Sequence, residues 1–559
     1  MKKTLLVGLD AACWDYLDPV IQDGRAPTLR QLMKAGTWGS LESTLPAQTP
    51  TAWPSIVTGK NPGKHGVFDF NFRRPGTYEF FPTNARIRMG TPFWEHLNRE
   101  GIRVGMVNIP FCHPPEPLDG FVLCGFGAPM SAADLAYPAS VLDVLAERFG
   151  EYKPDIERER IKQADLPEIF AMKRHHQQCH VQMATALSEE YHVDVLAINL
   201  MLLDHANHIM PQMAQVEQAI VDTDADIRYL IDEFQPDNIM LLSDHGSRRV
   251  TGDFLLNVWL LDHGYSTLAQ RSPLERAAEV NWVLNHWTHK RVRWNGLQQK
   301  VLRRLIKDTV LRLPDPLSSP IWHSVQKEVP FAREHVNMSE QPDYERTLTF
   351  PLGKTSGLLY FNMSGREPTG VLPQEERQAF AAELIDKLGQ LEDPDTGEPI
   401  IDNAYLCETI YSGSATAYAP DLILDCYSSP WSVATSARRN YTSSQTYSRY
   451  FVENPWIFGQ HSRTGLFVFS GTDFMTGNAA HDGHVMDIPA TLLHLYDIPI
   501  PEDYDGRVLV DTITADYIER HPLSYQSGDD LTSSQFDDVY RDGEAQEIVE
   551  RLQMLGYLD

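Results

Sequence analysis

Short, mostly apolar runs recur along this chain, and most end in a polar or glycine-containing turn. Thr4–Leu9, Arg103–Val107, Val193–Asn199, Asn238–Leu242, Gly357–Phe361, Asp421–Leu424 and Leu466–Phe469 lack the alternation of a half-solvated strand, so they predict strands buried on both faces. Helical patterns separate them. That alternation predicts an α/β fold built on a largely parallel sheet flanked by helices. In such sheets ligands bind beyond the carboxyl ends of the strands, so the residues that follow each run are where chemistry is expected. Three of those ends carry acids: Asp10 after Leu9, Asp204 after Leu203, and Asp244 after Ser243. Asp204 and His208 are spaced to share one face of a helical turn, and Asp244 is followed at once by His245. Each acid alone reads by default as a helix cap, with a metal ligand or a catalytic group as the alternatives.

The segment from Leu45 to Ser55, continuing to His65, carries a different signal. Thr49 followed by Pro50 reads as an N-cap with proline at the first helical position, which puts a hydroxyl where free N–H groups and the helix dipole favour negative charge. On these residues alone Thr49 is either a cap or a seated nucleophile, with Thr51 as a minor alternative. Pro54 predicts a kink or an early helix end. Asp262-His263-Gly264 repeats the Asp-His-Gly string but follows an amphipathic segment, so it reads as a structural turn. His481 and His484 lie in a polar loop, whereas His461 precedes the run Leu466–Phe469.

Composition narrows the class. A chain of 559 residues, 42% hydrophobic, exceeds one compact domain, and its net charge of −28 argues against a general affinity for nucleic acid or anionic membrane. The first apolar run ends at Asp10 without a small-residue cleavage site, so it reads as a strand and not as a signal peptide. No apolar run reaches the length of a membrane span, so no transmembrane segment is expected. Six cysteines are scattered without tight spacing, which fits reduced thiols and a cytoplasmic location. From Thr251 to about Glu345 helices and Pro-rich loops predict an inserted cap, with a basic amphipathic stretch over 290–307. The expected organisation is a core in two parts, 1–250 and 346–510, the mostly helical cap 251–345, and an acidic C-terminal arm 511–559 with a helix over Glu544–Leu555.

Taken in order, several motifs resemble one family. They are Val7-Gly8-Leu9-Asp10, Pro46–Trp53, Thr58–Gly66, Asp204 with His208, Ser243–Gly246, Gly459-Gln460-His461, Asp487–Leu493 and Pro501–Leu509. The chain resembles the alkaline phosphatase superfamily, in its type I phosphodiesterase/nucleotide pyrophosphatase branch. The resemblance implies an alkaline-phosphatase-like α/β core holding two divalent ions, one on Asp10, Asp244, His245 and the Thr49 oxygen, the other on Asp204, His208 and His461. Histidine and carboxylate donors suit zinc, with manganese or iron as alternatives. The implied activity is phosphohydrolysis of a small phosphodiester or phosphomonoester through a phosphothreonine on Thr49. A phosphomutase or phosphotransferase using the same site is the alternative, as is a non-catalytic protein that keeps the fold; oligomeric state stays open.

The departures are specific. Where nucleotide pyrophosphatases place an Asn that helps bind the phosphoryl group, this chain has Phe70, with Asn71 beside it. The Cys or Ser nucleophile and following Arg of sulfatases are absent from Thr49-Pro50-Thr51, so sulfate esters are not expected substrates.

Overall fold

The structure is a computed structural model that describes residues 2–130, 132–269, 342–352, 357–435, 450–454, 458–479, 482–528, 539–541, 543–555 and 557–558. Its centre is a ten-stranded sheet. From one edge the strands run Asn478–Ala479, Gly36–Glu42, Thr464–Gly471, Asn238–Leu242, Thr4–Leu9, Val195–Leu200, Val104–Val107, Gly120–Leu123 and Ala136–Tyr137, with Gly483–His484 also paired to Gly36–Glu42. The five strands from Asn238–Leu242 to Gly120–Leu123 are parallel, in register Leu5 to Leu196 and Leu5 to Ile239. Every residue of the three middle strands is buried, because helices flank the sheet and leave no face for polar side chains. Leu166–Glu190 and Met213–Phe234 pack on the sheet and on each other, and Thr49–Thr58, Phe93–Arg99 and Asp487–Leu495 form another packed group.

Three of the predicted strands sit differently from expectation. Thr464–Gly471 is antiparallel to both of its neighbours. Leu358–Phe361 and Leu422–Asp425 lie outside the main sheet, in a four-stranded antiparallel sheet with Thr349–Leu352 and Asn403–Leu406. An apolar run buried on both faces has the same sequence signature in either setting, so direction and partner are invisible locally. These strands share a second hydrophobic cluster, including Phe254, Trp259, Leu359, Phe361, Leu384, Leu422 and Trp431. Gly252–Leu255, at the start of the expected cap, pairs with Trp431–Ala434 and Phe451–Glu453, so the packing groups it with residues far along the chain. Most of the expected cap, including the basic stretch 290–307, lies outside the described residues.

Thr49–Thr58 forms the expected helix one residue out of register. Gln48, with extended backbone, takes the cap position, Thr49 is the first helical residue and Pro50 the second. The Gln48 carbonyl accepts from the N–H of Thr51 and of Ala52, and Pro50 forfeits no bond in a first turn whose N–H groups have no intrahelical partner. Pro54 does not end the helix, which closes at Gly59 in the left-handed region at φ +68°. The helix reaches the sheet through Gly8, where a Cβ would lie 2.6 Å from the Trp53 ring and 2.5 Å from Asn199 Oδ1. Any larger residue there would push away the helix that carries Thr49.

Among the described residues no helix is long and apolar enough to cross a membrane. The six cysteines are unbonded. The helix Glu544–Leu555 buries Ile548, Arg551, Leu552 and Leu555. It packs in one cluster with Phe70, Phe111, Phe126 and Met201.

Candidate metal centre

Asp10 stands at the carboxyl end of Thr4–Leu9, Asp244 just past Asn238–Leu242, and Asp204 in the short helix Leu202–Ile209 that follows Val195–Leu200. Because these three strands are adjacent and parallel, their ends converge on one point. Asp204 and His208, one helical turn apart, face that point together, while His205 turns toward Phe126. His461 arrives from Gly459–Ser462, paired antiparallel with Gly246–Arg249 so that it lies opposite Ser247, two residues beyond His245. Thr49 comes from the start of its helix.

All seven residues are essentially inaccessible, at 0–1% exposure. His245 Nε2 lies 3.7 Å from Asp10 Oδ1, 3.4 Å from Asp244 Oδ2 and 3.2 Å from Thr49 Oγ. Asp204 Oδ1 lies 3.3 Å from His208 Nε2 and 3.6 Å from His461 Nε2, and those two nitrogens are 3.0 Å apart. The His245 and His461 rings stack at 3.8 Å, joining the two halves. Ligand atoms of Asp10, Asp244 and His245 fall within 4.8 Å of one another, as do those of Asp204, His245 and His461. His245 therefore sits between the two groups, where the sequence reading assigned it to one.

The donor set fits divalent cations on two independent observations. Each histidine has Nδ1 against a backbone carbonyl: His208 at 2.9 Å from Gly459, His245 at 3.1 Å from Gly246, and His461 at 3.2 Å from Ala47. That contact fixes the proton on Nδ1 and leaves the Nε2 lone pair aimed at the cluster, as in histidines that bind metal. Asp10 Oδ1, Asp204 Oδ1 and Asp244 Oδ2 are buried without a hydrogen-bond donor, and all three point into the same space.

The electrostatics show why protein alone does not satisfy this arrangement. Burial, together with repulsion from Asp244 and Asp204, drives the Asp10 carboxyl well above its ordinary range. Burial and the charge of Asp204 push Asp244 up to about 8. Burial also raises Asp204, but His208 and His461 outweigh it and hold that carboxyl well below the usual range. Burial, and then His245, lowers His461 to about 3. Three carboxylates crowded in a dry site need positive charge to ionise together, and burial opposes the protonation of His245 and His461 that would supply it.

Several partners of this site are not singled out by the sequence. Asn199 donates to Asp10 Oδ2 at 2.9 Å, and Ser43 donates to the Asp244 carbonyl at 2.6 Å. Gln48 donates to Asp69, whose carboxyl burial raises to about 7. Tyr557, in the C-terminal arm, hydrogen-bonds to Asp204 Oδ2, and burial with the charge of Asp204 keeps its phenol protonated. Asn199 could have been suspected from its place near the end of an apolar run; Tyr557 could not. Among the decoys, His263 stacks on Trp259 at 4.3 Å and closes its helix, and His484 accepts from the Met486 N–H. His481 lies outside the described residues.

Residues 4–462 match the family described as type I phosphodiesterase / nucleotide pyrophosphatase. No curated protein sequence matches significantly. Among solved structures, murine ectonucleotide pyrophosphatase / phosphodiesterase 5, as an inactive threonine-to-alanine variant in complex with AMP, superposes with a TM-score of 0.50 at 12% identity, covering 92% of this chain and 100% of that one. The human protein of the same name gives a TM-score of 0.48 at 13% identity, covering 92% and 100%. At such identity the murine likeness bears on the fold alone.

Proposed function

The chain belongs to the type I phosphodiesterase / nucleotide pyrophosphatase family and is a phosphoric ester hydrolase; from that premise we propose that Thr49 is its nucleophile and that two divalent ions complete the site. Asp10, Asp244, His245 and Thr49 would hold one ion, and Asp204, His208 and His461 the other. Zinc is the expected metal, with manganese or iron as alternatives, because the donors are imidazole and carboxylate and, among the described residues, no cysteine joins the ligand groups. When bound, such a pair would supply positive charge at the attacking and leaving oxygens and make a hydroxyl easier to ionise.

The observation that carries this reading is the position of Thr49 Oγ, buried at 0% exposure and 3.2 Å from His245 Nε2 at the edge of the ligand cluster. Thr49 Oγ bonds to phosphorus and releases its proton to solvent, while the ester oxygen leaves with the electron pair of the broken bond and takes up a proton from solvent in turn. Water then cleaves the phosphothreonine and restores the hydroxyl. The substrate is a phosphodiester or phosphomonoester of small size. We infer a cytoplasmic location from the scattered spacing of the six cysteines along the sequence.

The test is acid quenching during turnover of a metal-supplemented chromogenic diester and monoester, with and without an alcohol acceptor. On the peptide containing Thr49 a phosphate is expected from the monoester, with orthophosphate as product, and a phosphodiester keeping the substrate's other ester group is expected from the diester, with a phosphomonoester as product. Transfer to the alcohol in place of water would make the protein a phosphotransferase, and turnover with no protein-bound phosphate under any quench would overturn the covalent step.

A further inference from the structure

Asp204 has two differently employed oxygens. Oδ1 faces His208 and His461 and lacks a donor, while Oδ2 accepts a hydrogen bond from the Tyr557 hydroxyl. Tyr557 is wedged among the site's own side chains, its ring centroid 4.9 Å from that of His208, 5.4 Å from Phe126 and 5.3 Å from Phe70.

The arm is built into the molecule. Arg551, 3% exposed, donates to the Ala128 carbonyl at 2.6 Å and lies 3.6 Å from Asp155, itself paired at 2.8 Å with the buried Lys173. Glu547 accepts from the Met130 N–H at 3.0 Å, and Tyr540 donates to the Thr83 carbonyl at 3.0 Å. The Tyr557 N–H returns to the Leu552 carbonyl at 3.0 Å, which fixes the turn that aims the ring inward. A carboxylate that ligates a metal through one oxygen is held in orientation by the partner of its other oxygen.

We propose that Tyr557 is a positioning residue of the metal centre, carried there by the C-terminal helix, and that its hydroxyl holds Asp204 so that Oδ1 is presented as the ligand atom. This rests on the two-ion reading above. The 559-residue chain, its Tyr557→Phe variant and a chain ending after residue 556 are stripped of metal and titrated with zinc in competition with a chromogenic chelator. Thermal melting of the ion-free forms is followed in parallel. Tyr557→Phe keeps the ring packing and should weaken one of the two ions by roughly 10- to 100-fold, with the other ion and the ion-free melting temperature unchanged. The shortened chain should weaken that same ion at least as much. Cobalt(II) loading should show the change in the visible spectrum of one equivalent only. Unchanged affinities in Tyr557→Phe overturn the proposal, as does weakening seen only in the shortened chain, which would assign the effect to packing. Equal weakening of both ions, or a lower ion-free melting temperature, likewise makes the role structural. A wild-type protein that fails to bind two ions would instead refute the two-ion reading.

Discussion

Replacing Thr49 by Ala separates chemistry from architecture more cleanly than any other change in this site. Thr49 occupies the first helical position while Gln48 is the cap, so the substitution removes no capping bond, a loss that would typically cost about 1 kcal/mol. The hydroxyl's contact is His245 Nε2 at 3.2 Å, and that imidazole keeps its Nδ1 bond to the Gly246 carbonyl and its neighbours Asp10 and Asp244. Losing one hydrogen bond to a neutral partner destabilises by about 1 kcal/mol, within the range a domain of this size tolerates. The chemical loss is much larger. If the attacking oxygen is Thr49 Oγ, turnover should fall by about 10³-fold or more, about 4 kcal/mol of transition-state stabilisation. The disparity between those two figures is the prediction. Thr49→Ala should therefore melt close to wild type and bind metal, yet give almost no product from a chromogenic phosphate ester. Thr49→Ser restores an oxygen at the cost of one buried methyl and should retain part of the activity. Near wild-type turnover in Thr49→Ala would refute the covalent mechanism and favour direct attack by water.

Elemental analysis of fully loaded protein should give two transition-metal equivalents, and thorough chelation should abolish turnover; full activity after chelation would remove the metals from the mechanism. Asp244→Ala should abolish turnover and weaken metal binding, because its Oδ2 points into the ligand cluster beside His245, whereas Asp262→Ala, at the end of a helix in the second cluster, should leave both nearly intact in the same assays. Asp69 gives a pH signature: burial raises its carboxyl from 3.8 to about 7, so the folded state holds a proton that the unfolded chain has released. Stability from this group is full below about pH 4 and is lost as pH rises through 7, by at most about 1.4 kcal/mol per pH unit. Asp69→Asn, which mimics the neutral form, should flatten that slope in denaturant titrations and raise stability at pH 8; an unchanged slope would show that Asp69 is ionised throughout.

Much of this centre is legible in the linear sequence because its parts obey local rules. An acid that directly follows a buried apolar run lies at a strand's carboxyl end in any parallel sheet, which is why Asp10 and Asp244 stand out, and Asp204 with His208 needs only one helical turn. The Thr49-Pro50 pair marks a helix start for reasons of backbone sterics, correct to within one residue. The family resemblance drew on the same strings. What needed the tertiary structure has a different physical origin: contacts between segments hundreds of residues apart, which no periodicity encodes. His461 meets His208 across 253 positions because an antiparallel pairing with Gly246–Arg249 brings it there. Leu358–Phe361 and Leu422–Asp425 read as strands, but their separation into an antiparallel sheet follows from which faces the fold covers. The C-terminal helix shows its amphipathic pattern openly, yet the destination of Tyr557 depends on the cavity left between Phe70, Phe126 and His208. Sequence determined which residues could meet at the strand ends, since side-chain type and strand-end position are local properties. Only the folded chain decided how they are held, because burial and orientation belong to the packing of distant segments and not to any one of them.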